Sequence, residues 1–209
     1  FPYTTLFRSV EHIRREKMKR RTFDGIVTAV GFGLAVFLFV AAGLLNWGAS
    51  FANDSVKSQL ENQNIAFPAV EAMPEATKDQ LAKWAGMQVT TGEMARDYSD
   101  LYIWEHMKGA AIAVAGSPIT YSEASAKYMG MVRGGTGTAE EIAKYGELRQ
   151  TLFMGNTLRG MLLEAYAFGT LGVIAGYAAL AALAGGALML LLSIAGLIHL
   201  RRTSRDATI

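Results

Sequence analysis

The sequence contains no cysteine, which excludes disulfides, c-type haem attachment, thiolate zinc sites and thiol catalysis together. The compartment is left open by that absence. Histidine is scarce as well: of the three in the chain, only His106 lies away from the N-terminal stretch and the apolar runs. A single histidine cannot build the two-His-one-carboxylate site of non-haem iron, nor a usual catalytic zinc site, without help from another chain. No GxSxG or HExxH pattern pairs a nucleophile with its base. These gaps predict a chain without catalytic chemistry of its own.

Charge is missing from two long runs. Between Glu164 and Arg201 no side chain is charged, and the intervening residues Ala165 to Leu200 far exceed the roughly 20 apolar residues that span a bilayer. A second run, Gly25 to Trp47, is also uncharged and makes about 34 Å of helix at about 1.5 Å per residue. Both are expected to be membrane spans. The rival reading of the first is a cleaved signal peptide, with Ser50-Phe51-Ala52 as its cleavage site. The run exceeds the usual apolar core of about 7 to 15 residues, which favours an uncleaved anchor. Neither span contains Asp, Glu, Lys or Arg, so no proton relay or buried-charge ion pathway has a candidate residue.

What flanks the spans sets the expected topology. Lys19, Arg20 and Arg21 precede the first, while Arg201, Arg202 and Arg205 follow the second. Basic clusters stay on the cytoplasmic side. Both termini are therefore expected in the cytoplasm of a cell whose plasma membrane holds the protein. From Asn53 to Glu164 there are 14 acidic and 10 basic side chains, a net of −4 hidden within an overall +2. Trp47, Tyr166 and Phe168 are placed at the outer membrane interface, with Arg20, Arg21, Arg201 and Arg202 at the inner one. Gly172 and Gly176 form a GxxxG spacing for close helix packing. Two users of that face stay open: the chain's own first span, or another copy.

The expected organisation divides the chain into six segments. Residues 1–17 are read as upstream translation, because Phe1 to Ser9 resemble one frame of a sequencing adapter and Met18 opens MKRRTFDG. Then come a basic cytoplasmic N-terminus (18–24), the first span (25–47), an extracytoplasmic helical domain (48–164), the second span (165–200) and a short cytoplasmic tail (201–209). The fold class is an all-α membrane protein with two transmembrane helices flanking a small helical extracytoplasmic domain.

Within the outer segment, residues 54–64 continue the first helix, and the prolines in Ile65 to Pro74 end it. Thr90-Thr-Gly-Glu93, Thr120-Tyr-Ser-Glu123 and Thr138-Ala-Glu-Glu141 fit the capping box, in which threonine and glutamate satisfy free amides at a helix start. Helices follow near 75–86, 91–114, 121–132 and 139–154, the last bending at Gly155. Trp84, Met94, Tyr98, Leu101, Trp104, Tyr121, Tyr128, Leu148, Leu152 and Phe153 supply a core. Glu93, Asp97 and Asp100 share a helix face at i, i+4 and i+7 and are the candidate metal ligands, against the plainer reading of a solvated acidic stripe. Arg149, Arg159 and Glu164 are expected near the membrane surface, anchoring or meeting lipid headgroups.

The stretches KMKRRTFD, GLLNWGASFANDSVKSQLENQNIAFP, TTGEMARDYSDLYIWEHM and QTLFMGNTLRGMLLEAYAFGTLG make the chain resemble a family of functionally uncharacterised two-span integral membrane proteins of actinobacteria. The resemblance covers nearly everything after Met18. It implies a cell-envelope location in a Gram-positive bacterium and no activity. An aromatic ring-opening dioxygenase label borne by some relatives is rejected, since the iron ligands are missing. The expected function is an accessory or assembly subunit that binds a partner through its outer domain. A homo-oligomeric channel or transporter-like protein is the second reading. An extracytoplasmic enzyme using His106 and the 93–100 carboxylates is the third. No cofactor and no nucleic-acid partner is expected; the bilayer and a protein partner or second copy are.

Overall fold

The computed structural model describes residues 19–204. The readings of residues 1–17, of the Met18 start and of Arg205 fall outside them. Among the described residues the chain is helical, with one isolated antiparallel bridge, Ala66 to Gln88, and no strand. The helices are α1 (Arg20–Gln63), α2 (Lys78–Leu81), α3 (Gly92–Asp97), α4 (Trp104–Ala115), α5 (Tyr121–Gly134) and α6 (Ala139–Arg202), with short 3-10 turns at Val70–Ala72 and Ala82–Trp84. Between α3 and α4 the helix widens into a π turn, Tyr98–Ile103. The described residues divide into two compact units, one of residues 19–44 and 178–204, the other Leu45–Tyr177.

In the first unit α1 and α6 run antiparallel. A methyl added at Gly25 would meet Leu200, one at Gly31 would run into Ser193, and one at Gly186 would lie 3.1 Å from Phe39 Cε1. The buried positions are small: Thr28, Ala35 and Ala42 on α1 and Ala179, Gly186 and Ser193 on α6 recur every seventh residue, and Gly31 lies between the first two. Seven-residue spacing keeps one seam facing the partner helix. The hydroxyls in that seam are satisfied within their own helices, Thr28 donating to Asp24 O at 2.7 Å and Ser193 to Met189 O at 2.7 Å. Large apolar side chains such as Ile26, Val30, Phe37, Leu180 and Leu191 are exposed. Both helices are long and apolar enough to cross a membrane, yet only 22% and 11% of their most apolar stretches are buried.

The second unit has the opposite plan. One cluster buries Val56, Leu60, Phe67, Leu81, Val89, Met94 and Leu162, and a second buries Met107, Ala111, Ala124, Leu148 and Leu152. Trp84, Tyr98, Leu101 and Tyr121 pack on these clusters as partly buried neighbours. Trp104 and Phe153, expected in the core, are exposed instead.

Local chemistry explains the element boundaries. Thr120 and Glu123 make the reciprocal capping box of α5, and Thr138 with Glu141 makes the same exchange at the start of α6. At α3 the cap falls one residue later than expected. Thr91, not Thr90, accepts from Met94 N–H at 3.3 Å, while Glu93 turns to Lys83 at 3.3 Å. The helix expected over 75–86 is reduced to one α turn and one 3-10 turn. α6 runs through Gly155 without ending, because the missing side chain there is where Met107 packs.

Candidate functional site

The segment α3–π–α4 carries the three carboxylates offered as metal ligands, Glu93, Asp97 and Asp100. It is anchored at its start by Gly92, where an added methyl would stand 3.1 Å from both Ala165 O and Tyr166 Cα of α6. Only glycine permits that approach. Five residues on, Asp97 is buried although it is charged. Trp84 Nε1 donates to its Oδ2 at 2.9 Å, Arg96 donates to Oδ1 at 2.7 Å, and Lys83 Nζ lies 3.1 Å from Oδ2. Burial pushes the Asp97 carboxyl up, but the bonds from Trp84, Arg96 and Lys83 outweigh it and hold the group below the usual carboxylate value.

Asp100 belongs to a different set of contacts. The π turn takes an extra residue per turn, so positions three and seven residues apart no longer share the face that an α-helix would give them. Arg159 of α6 donates to Asp100 Oδ1 at 2.9 Å and to Ser99 O at 3.2 Å, and its guanidinium carbon lies 4.6 Å from the centroid of Trp104. Ser99 is fully buried between them. Arg159 therefore turns inward, where the sequence suggested anchoring at the membrane surface or a headgroup contact.

The three carboxylates are thus divided among cations rather than gathered: Glu93 on Lys83, Asp97 on Lys83 and Arg96, Asp100 on Arg159. Among the described residues no group of three or more His, Asp or Glu side chains could hold a metal ion. His106 is exposed, its Nδ1 2.9 Å from Tyr102 O and its ring 4.4 Å from that of Tyr102. What the arrangement does is fasten. Asp97 ties the 3-10 turn at Ala82–Trp84 to α3, and Arg159 ties the π turn to α6.

Beside this latch lies an open cleft of about 550 Å³. It carries Asp54 and Lys57 of α1, Glu93 and Arg96 of α3, and Tyr166 of α6. A surface bearing both signs within one concavity suits recognition of another macromolecule, where complementary charges set register.

The remaining sequence-selected residues are placed as follows. A methyl at Gly172 would stand 2.9 Å from Asn53 Oδ1 and 3.2 Å from Ala52 Cβ, and one at Gly176 would touch Ala49 Cβ at 3.9 Å. The GxxxG face is occupied by the chain's own α1. Trp47 is exposed and stacks on Phe51 at 5.8 Å, and Phe168 is exposed on α6. Tyr166 is half-buried beside Arg96, whose guanidinium carbon is 5.3 Å from the ring centroid. Arg20 lies 3.9 Å from Asp24, which is also 3.8 Å from His199. Arg21, Arg201 and Arg202 are exposed. Sequence reasoning missed Trp84 and Lys83 as partners of Asp97. Their only signal was a tryptophan next to a lysine, which pattern reading takes for core and surface.

No protein-family model, curated protein or solved structure matches the chain.

Proposed function

We propose that this chain is an integral protein of the cell membrane in which α1 and α6 each cross the bilayer, both ends lie in the cytoplasm and the Leu45–Tyr177 unit stands outside. Its role is that of an accessory or assembly subunit, holding a partner protein through the outer unit without chemistry of its own. The observation that carries the reading is the inverted packing of the first unit. Two helices apolar on every side bury only a seam of small residues and leave their large side chains uncovered. In water that surface would drive aggregation, whereas in lipid it is the expected outer face. The basic residues flanking both apolar runs support the orientation. The mixed-charge cleft beside the Asp97 latch offers the partner a docking face.

The absence of cysteine makes the test clean. Single cysteines at Ser122 and Thr203 are labelled in intact cells with a membrane-impermeant maleimide. Labelling of Ser122→Cys in intact cells, and of Thr203→Cys only after permeabilisation, is the expected result. The reverse pattern, or labelling of both in intact cells, overturns the topology. Crosslinking in native membranes then reads the role. A stoichiometric foreign partner is expected, and a complex containing only copies of this chain would replace the accessory reading with the channel reading.

A further inference from the structure

A concavity of about 400 Å³ lies in the second unit where α4, the loop into α5 and α6 converge. α4 ends at Gly116, whose φ of 74° suits glycine, and the chain returns through Pro118 and Ile119 to the Thr120 cap. Met107 and Leu152 from the buried cluster form part of its lining. Trp104 and Tyr121 are its aromatic members, and each is braced: Trp104 by the Arg159 guanidinium, Tyr121 by Phe153 at a ring distance of 5.8 Å. Bound sites of small molecules have this size and make-up, apolar surface with a few polar groups fixed in place. Trp104 nevertheless remains 40% exposed, leaving apolar surface open at the cavity wall.

Two polar groups complete the lining. Lys108 is the only charged residue among those that line the cavity, and Asn156 supplies an amide. One Lys108 proton is directed at Glu105 Oε1, 2.9 Å away, which leaves two further donors on the ammonium. We propose that this cavity binds a small apolar carboxylate, its ring or short chain between Trp104 and Tyr121 and its carboxylate on Lys108 and Asn156. Charge complementarity selects the head, and the braced aromatics accept the body without reorganising. The site is distinct from the mixed-charge cleft and does not depend on the membrane topology.

Fluorine NMR of trifluoromethylbenzoate, added to the full chain in lipid nanodiscs and corrected with empty nanodiscs, tests this. Saturable line broadening is expected. It should weaken about tenfold in Lys108→Ala and with the neutral trifluoromethylbenzamide as probe, a loss typical of one removed charge-assisted contact. Asn156→Trp, which fills the cavity, should abolish it. Lys108→Ala removes only a partly exposed side chain, so the test stands even if Asn156→Trp does not fold. No saturable broadening by the wild-type chain overturns the proposal. So does equal binding of acid and amide, or unchanged binding in either folded variant.

Discussion

The two units of this chain are built on opposite rules. In the first, the buried residues are all small, Thr28, Gly31, Ala35, Ala42, Ala179, Gly186 and Ser193, and most large apolar side chains are exposed. In the second, Leu60, Phe67, Leu81, Leu148 and Leu152 are buried, while most charged groups face outward. Burial of large side chains is favourable where the alternative is water. Where the alternative is hydrocarbon that gain vanishes, and helices associate through close approach of small residues. The proposed membrane location accounts for both rules in a single chain.

Substitutions in both units break or sharpen that contrast, each read by thermal unfolding of the purified protein in nanodiscs. The largest loss is expected for Leu81→Ala, a fully buried side chain of the second unit, at about 3 kcal/mol. In the first unit the costly change is the reverse, small to large. Gly186→Leu forces a side chain into Phe39 and should cost about 2 to 3 kcal/mol by overpacking. If it proves neutral, the seam is not a packed interface.

Asp97→Ala should cost about 2 kcal/mol by leaving the Trp84 donor unmet and Lys83 and Arg96 without their shared anion. The pH dependence has a definite sign. Because the folded carboxyl is held below its unfolded value of about 3.9, its contribution is complete above that pH and is lost as pH falls through the lower folded value. The wild-type protein should lose more stability than Asp97→Asn on acidification across that window, and parallel curves would remove Asp97 from the latch.

Next in size is the α3 cap. Thr91→Ala is expected to cost about 1 kcal/mol and Thr90→Ala much less, since only Thr91 accepts from the Met94 amide; equal losses would restore the capping box at Thr90. Smallest is Leu180→Ala, an exposed position of the first unit, expected within about 0.5 kcal/mol because lipid replaces the lost contacts. A loss of several times that size would mean another copy or partner covers this face.

Sequence alone determined the features that are local or summed over a run. Two charge-free stretches long enough to span a bilayer, the continuation of α1 beyond its apolar part, the caps at Thr120 and Thr138, and the all-helical class could each be read from composition and spacing, because each depends on residues within a few turns of one another. Tertiary structure decided the rest. The acidic stripe of Glu93, Asp97 and Asp100 was drawn on a 3.6-residue period, and the π turn at Tyr98–Ile103 dissolved it. Lys83, Trp84 and Arg159 then claimed the carboxylates from 10 to 59 residues away in the chain. Gly155 read as a bend and proved to be a seat for Met107, and Gly172 read as a face open to either partner and proved to be filled by Ala52 and Asn53. Periodicity and capping are properties of a segment. Which cation meets which carboxylate, and which side chain fills the space a glycine leaves, is set only when distant segments are brought into contact.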